Sequence, residues 1–179
     1  MGLYAPGSFS GRYEPQGDPG AADCVLVCEF GVGKNDTPGA VNEALVDFSL
    51  REFGDLPMIM TARLRGFAEQ CDPSCLVAET VTGESSNAIG QGVGTSGELR
   101  VAKAFMEHNY LANLAVVGQA FHIGRTARQA GRIGLDVIIP PHLPAIFDHD
   151  SEQWWTRGPA RWALRESLAT PMLRHKGQL

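Results

Sequence analysis

The stretch Leu114–Gly131, LAVVGQAFHIGRTARQAG, narrows most sharply what this 179-residue chain can fold into. Its first four residues, Leu114–Val117, are an unbroken apolar run that reads as a short buried strand. The chain then turns at Gly118-Gln119 and continues, after Phe121, as a helix. Strand, tight turn and helix make the unit from which open α/β sheets are built, and such sheets place their ligands at that turn. His122 and Arg125 stand three apart, so they share one face of the first helical turn. Gln119, His122 and Arg125 are therefore the first candidate ligand residues.

The rest of the chain repeats the alternation. Cys24–Phe30, Pro57–Thr61, Ser74–Thr80 and Leu135–Ile139 read as strands. Pro38 to about Phe53 reads as a helix, with Val41, Ala44, Leu45 and Phe48 on an i, i+3, i+4, i+7 stripe. Arg63, Arg65 and Glu69 fall on a short helix. Another helix runs from Glu98 to about Asn109, with Ala102, Phe105 and Met106 facing the core. Pro159 opens a last helix to about Ala169, with Trp162, Ala163, Leu164 and Leu168 at core-like positions. Strands alternating with helices predict a mostly parallel sheet of about five strands with right-handed crossovers. Residues 1–22, rich in Gly and Pro, form an irregular lead-in packed through Tyr4, Phe9 and Tyr13. Residues 23–170 form a single domain, and 171–179 a polar, frayed tail.

Loops that follow strands in such a sheet lie on one edge. Gly31-Val32-Gly33 follows the first strand, and its two glycines permit close backbone approach to a ligand. It lacks the third glycine and downstream acid of a dinucleotide fingerprint. Gly83–Gly97, GESSNAIGQGVGTSG, is a long loop rich in glycine and hydroxyls, of the kind that covers an active face. These two loops and the Gln119–Arg125 turn would share one crevice. Thr95 and Glu98 fit the T-x-x-E capping box, which accounts for Glu98 as a helix cap as well as a catalytic role does. Lys34 reads as solvated, with phosphate contact the alternative.

A net charge of −5 argues against a general nucleic-acid binder, although Arg125, Arg128 and Arg132 cluster in one helix. No apolar run approaches the roughly 20 residues of a membrane span. The N-terminus lacks the pattern of a secretory signal, and Pro6 breaks the myristoylation pattern. No membrane anchor and a cytoplasmic location are expected. Cys24/Cys28 and Cys71/Cys75 are both C-x3-C pairs, a spacing that admits zinc. The stronger reading makes Cys24 and Cys28 small hydrophobes on one strand face and sets the other pair around the Asp72-Pro73 turn. Asp148-His149-Asp150 reads as a solvated loop rather than a metal site, and no metal is expected.

Three segments resemble the SanA/YdcF/ElyC-like family. Asp23-Cys24-Val25-Leu26-Val27 resembles its apolar strand after an Asp. Ser96-Gly97-Glu98-Leu99 resembles its helix-opening Thr-x-Glu-Asn-like segment. Phe121-His122-Ile123-Gly124-Arg125-Thr126 resembles its aromatic-His-x-x-Arg-Ala-like segment. Arg165-Glu166 resembles the family's closing Glu-containing helix. Where the family has an Arg in its first helix, this chain has Val41–Ala44, which marks a divergent branch. The resemblance implies a three-layer Rossmann-like α/β fold. It adds Ser96 and Phe121 to the ligand-binding candidates Gly31, Gly33, Gln119, His122 and Arg125. It also implies that S-adenosylmethionine is a candidate cofactor.

The expected function is binding of a small anionic ligand, nucleotide-like, phosphorylated or adenosylmethionine-like, with hydrolase or transferase chemistry as an extension. Glu98 or His122 would move a proton, while Arg125 and backbone amides would hold the anion. The alternative is a non-catalytic ligand sensor, or a module that docks a partner through Trp154 and Trp155. Oligomeric state is not legible in the sequence.

Overall fold

The computed structural model describes residues 13–81 and 94–175. Five parallel strands form one sheet: β1 (Cys24–Val27), β2 (Met58–Thr61), β3 (Val77–Val81), β4 (Leu114–Val117) and β5 (Val137–Ile138). Their order is β3-β2-β1-β4-β5. The helices are α1 (Ala40–Phe53), α2 (Ala62–Cys71), α3 (Gly94–Asn109), α4 (Ala120–Arg132) and α5 (Pro159–His175). The chain winds outward from β1 through α1 and α2, returns through α3 to β4, and continues outward through α4. Right-handed crossovers therefore place α1 and α2 on one face and α3 and α4 on the other. This is the parallel sheet that the alternation predicts, in the three-layer, Rossmann-like α/β arrangement that the resemblance implies.

Covering both faces requires central strands that are apolar on both sides. All four residues of β1 and of β4 are fully buried. The two strands start level because the Asp23 carboxylate accepts from the backbone N–H groups of Ala112 (3.0 Å) and Asn113 (2.8 Å). The lead-in is tied down by Tyr13, whose hydroxyl donates to the Pro140 carbonyl and accepts from the Leu143 N–H. Tyr4 and Phe9 lie outside the described residues, as does most of the loop expected at 83–97.

Several boundaries differ from expectation, each for a local reason. β1 ends at Val27 rather than Phe30, because beyond Cys28, whose N–H still donates to the Val117 carbonyl, the amides turn to side chains. Glu29 N–H donates to Glu98 (3.1 Å) and Phe30 N–H to Asn42 (2.8 Å). β3 starts at Val77 rather than Ser74, since Asp72 captures Ser74 in a turn. β5 is shorter than Leu135–Ile139, and Ile139 pairs with Gln16 instead. α1 starts at Ala40, after Gly39 at φ +78°. α5 runs through Pro171 to His175, past the end expected near Ala169. Its buried face holds Trp162, Glu166 and Ala169, whereas Leu164 and Leu168 are exposed, contrary to the core reading.

α3 carries the most consequential correction. It begins at Gly94, so Thr95 lies inside the helix and is not its cap. The T-x-x-E box does not form, and Glu98 is free of the capping role that the sequence offered it. Among the described residues no helix is long and apolar enough to cross a membrane.

Candidate functional site

The strand order reverses between β1 and β4, and the crevice beyond their C-terminal ends is the natural ligand position of such a sheet. Part of the expected site is closed by the chain itself. Gly31 sits at φ +82°, and a Cβ there would meet Thr156 Oγ1 at 2.7 Å and Ser151 Oγ at 3.1 Å. At Gly33 a Cβ would meet Thr37 Oγ1 at 2.4 Å. Both glycines admit neighbouring protein rather than a ligand. Gly31→Ala is expected to cost about 2–3 kcal/mol, combining the left-handed φ with the clash. A lowered urea midpoint with an unchanged slope would register it, and a variant as stable as wild type would refute this packing role.

Gln119 is also engaged at both ends of its amide. Its Oε1 accepts from Phe121 N–H (2.7 Å), and its Nε2 donates to the Ile146 carbonyl (3.0 Å). The first amides of α4 are spent internally as well: Ala120 donates to Pro144, and His122 and Ile123 to the Gln119 carbonyl. The expectation that this helix end offers backbone donors to an anion is therefore corrected. Gln119 orients the turn and α4, and any anion here must be held by side chains.

Those side chains converge from three helices. Glu98, on α3, is 5 % exposed; burial drives its carboxyl up to about 8, and the Glu29 amide only partly offsets this. Its neighbour Cys28 is fully buried, and burial together with Glu98 pushes the thiol well above its usual range. His122, on α4, has Nε2 3.1 Å from Thr95 Oγ1. Burial, then the positive charges of Arg125 and Arg165, holds this imidazole far below its ordinary pKa and neutral. Arg125 is 7 % exposed; burial lowers it to about 10 while Glu166 opposes the loss of charge. Arg125 Nη1 lies 3.2 Å from Glu166 Oε1, and Arg165 Nη1 lies 2.7 Å from the same oxygen. Ser96 Oγ accepts from Gln129 Nε2 at 3.3 Å, bridging α3 and α4. Phe121 is half-buried with its ring edge-on to Phe147, on the aromatic wall beside the polar cluster.

Glu98, His122, Arg125 and Ser96 thus occupy one region, as expected. Thr95, Gln129, Trp162, Arg165 and Glu166 join them without having been singled out as site residues. A signal existed for the last three: Trp162, Arg165 and Glu166 stand at i, i+3 and i+4 and share a helix face.

The residues do not fit an adenosylmethionine or dinucleotide laid over the β1 turn. Gly31 and Gly33 are filled from within the chain. The end of β2 leads to Arg63, which is paired with Glu29 and Asp36, instead of presenting an acid for a ribose. Among the described residues no group of three His, Cys, Asp or Glu side chains is placed for a metal. Asp150 pairs with the exposed Lys34, and Asp148 holds its own turn. Cys24, Cys28, Cys71 and Cys75 are free thiols. Trp155 is buried against Arg165, which leaves only Trp154 of that pair exposed. No family model, curated protein or solved structure matches the chain.

Proposed function

We propose that the chain binds a small anionic ligand, nucleotide-like or phosphorylated, in the crevice between the ends of β1 and β4. The observation that carries this reading is the position of Arg125. It stands in the second turn of the helix that follows β4, is almost wholly buried, and shares its one carboxylate partner among the described residues with a second arginine. A buried guanidinium with half a counter-charge favours an incoming anion. Two groups that both feel the Arg125 charge, with oppositely displaced pKa values, supply the proton chemistry. Glu98 keeps its proton at neutral pH and is assigned the acid; His122 is without one and is assigned the base. Divergent membership of the SanA/YdcF/ElyC-like family remains part of the proposal, supported by the Phe121–Thr126 segment lying at this turn.

A second reading, a binding module without turnover, is favoured by the same imidazole. Two arginine charges oppose its protonation, which makes it a reluctant base. Product formation from bound ligand separates the two readings.

Thermal unfolding of wild type and Arg125→Gln against nucleotides and sugar phosphates tests the binding itself. Ligand at 100 times its dissociation constant stabilises the fold by roughly 2.7 kcal/mol. For a domain of this size that is a Tm rise of about 5–10 °C. The rise is expected in wild type and not in Arg125→Gln. No shift with any anion, or equal shifts in both proteins, would overturn the reading.

A further inference from the structure

The indole of Trp162 is the centre of an unusual set of groups. Its ring lies 5.5 Å from the Arg125 guanidinium, 5.3 Å from the Arg165 guanidinium and 5.5 Å from the His122 ring. Both arginines reach Glu166 through Nη1. That contact leaves the Nε edge of each fork unused, and this edge is one that grips an oxyanion side-on. Arg125 Nε, Arg165 Nε, Trp162 Nε1 and His122 Nδ1 are all buried and lack a hydrogen-bond partner among the described residues. Buried polar groups are normally paired, so four unpaired atoms around one ring need a reason. Three of the four are obligate donors. Charge tells the same story, with two guanidinium groups facing the single carboxylate of Glu166.

We infer that Arg125 and Arg165 clamp the phosphoryl group of a phosphorylated ligand between their Nε edges, with the Trp162 indole N–H as a third donor. This rests on the anionic-ligand reading and names its chemistry. A planar carboxylate is satisfied by one guanidinium fork. Donors brought by two helices around one ring suit the three spread oxygens of a phosphoryl group better. Arg165 is the less buried of the two arginines, with 16 % of its side chain exposed against 9 % for Arg125.

The test titrates inorganic phosphate by calorimetry into wild type, Arg125→Gln, Arg165→Gln and Arg161→Gln, with sodium chloride at matched ionic strength as the control. Arg161 is exposed on the same helix and serves as the neutral comparison. Saturable phosphate binding is expected in wild type and Arg161→Gln. It should weaken at least about tenfold in both clamp variants, with a phosphate-dependent change in tryptophan fluorescence in wild type and Arg161→Gln but not in the clamp variants. Arg165→Gln keeps the Arg125–Glu166 pair, so it should fold; Arg165→Lys is the second variant, retaining charge without the fork. Full phosphate affinity in Arg165→Gln or Arg165→Lys would overturn the clamp, as would a wild-type effect no larger than that of chloride. If a nucleotide or sugar phosphate binds wild type and Arg165→Gln alike but not Arg125→Gln, the clamp falls and the broader reading stands. If no anion binds at all, both fall.

Discussion

Glu166→Gln is expected to lower stability by about 3–5 kcal/mol, the largest loss from any single polar replacement in this site. The substitution is nearly isosteric, so the loss comes from charge rather than volume. Arg125 and Arg165 both reach one Glu166 oxygen, and Glu166 is 3 % exposed. Removing the carboxylate leaves two guanidinium groups facing one another with little water to screen them. Glu69 provides the contrast. It pairs with Arg65 at i, i+4 on the surface, and both side chains are nearly half exposed. Its replacement by Gln should cost less than about 1 kcal/mol. Urea unfolding of the two variants makes the comparison. The Glu166→Gln loss corresponds to a Tm drop of roughly 6–20 °C. Adding Arg165→Gln to Glu166→Gln should restore part of it, because the double variant returns to the wild type's excess of one positive charge; the cycle reads the coupling directly. Inorganic phosphate should likewise stabilise Glu166→Gln more than wild type. A Glu166→Gln loss as small as that of Glu69→Gln would mean that the pair is solvated and that no charge is stored beneath Trp162.

How much of this could be read from residues alone depended on how local each signal was. β4 was legible to the residue and the start of the helix after it to within two, because an apolar run, a glycine turn and a helical pattern follow one another without a break. His122 and Arg125 were found for the same reason. The strand order was not legible, since β1 pairs with β4 across most of the domain and nothing in either segment names its partner. α5 was read correctly at Trp162, which is buried, but not at Leu164 and Leu168, which are exposed. Hydropathy favours Leu164 and Leu168, yet the buried positions include Glu166, which the interior tolerates only because two arginines arrive to meet it. One of those arginines comes from α4, so no window along α5 contains the reason. Gly31 and Gly33 were correctly marked as unusual but for the wrong cause, since a close approach by protein and one by ligand leave the same trace in sequence. Thr95 and Glu98 show the converse error. The four-residue capping pattern was present, but the helix begins earlier, and that shift moved Thr95 onto His122 and Glu98 into the interior.

The position of Glu98 has a measurable signature in pH. Its ordinary carboxyl pKa is 4.5, and in the fold it rises to about 8, chiefly through burial. The native state therefore holds this proton more tightly than the unfolded chain does. The stability contributed is fully present below about pH 4.5 and is lost as pH rises through about 8. His122 works in the other direction: its folded pKa is depressed, so the stability it contributes is present above about 6.5 and is lost as pH falls below it. The two opposed slopes overlap on the acid side. Between pH 6.5 and 8, of these two groups, Glu98 alone acts. At 1.36 kcal/mol for each pH unit, wild type should lose about 2 kcal/mol across that interval. Glu98→Gln should lose much less, because an amide has no proton to release and its oxygen can still accept the Glu29 N–H. The variant should therefore overtake wild type toward pH 8.5 in chemical denaturation. The same measurement bears on function. An acid that is still protonated at neutral pH can donate to a bound anion, and one that ionises near 4.5 cannot. Parallel wild-type and Glu98→Gln profiles between pH 6.5 and 8 would mean that this carboxyl is ionised throughout, and would remove the acid from the proposed chemistry while leaving the arginines to bind.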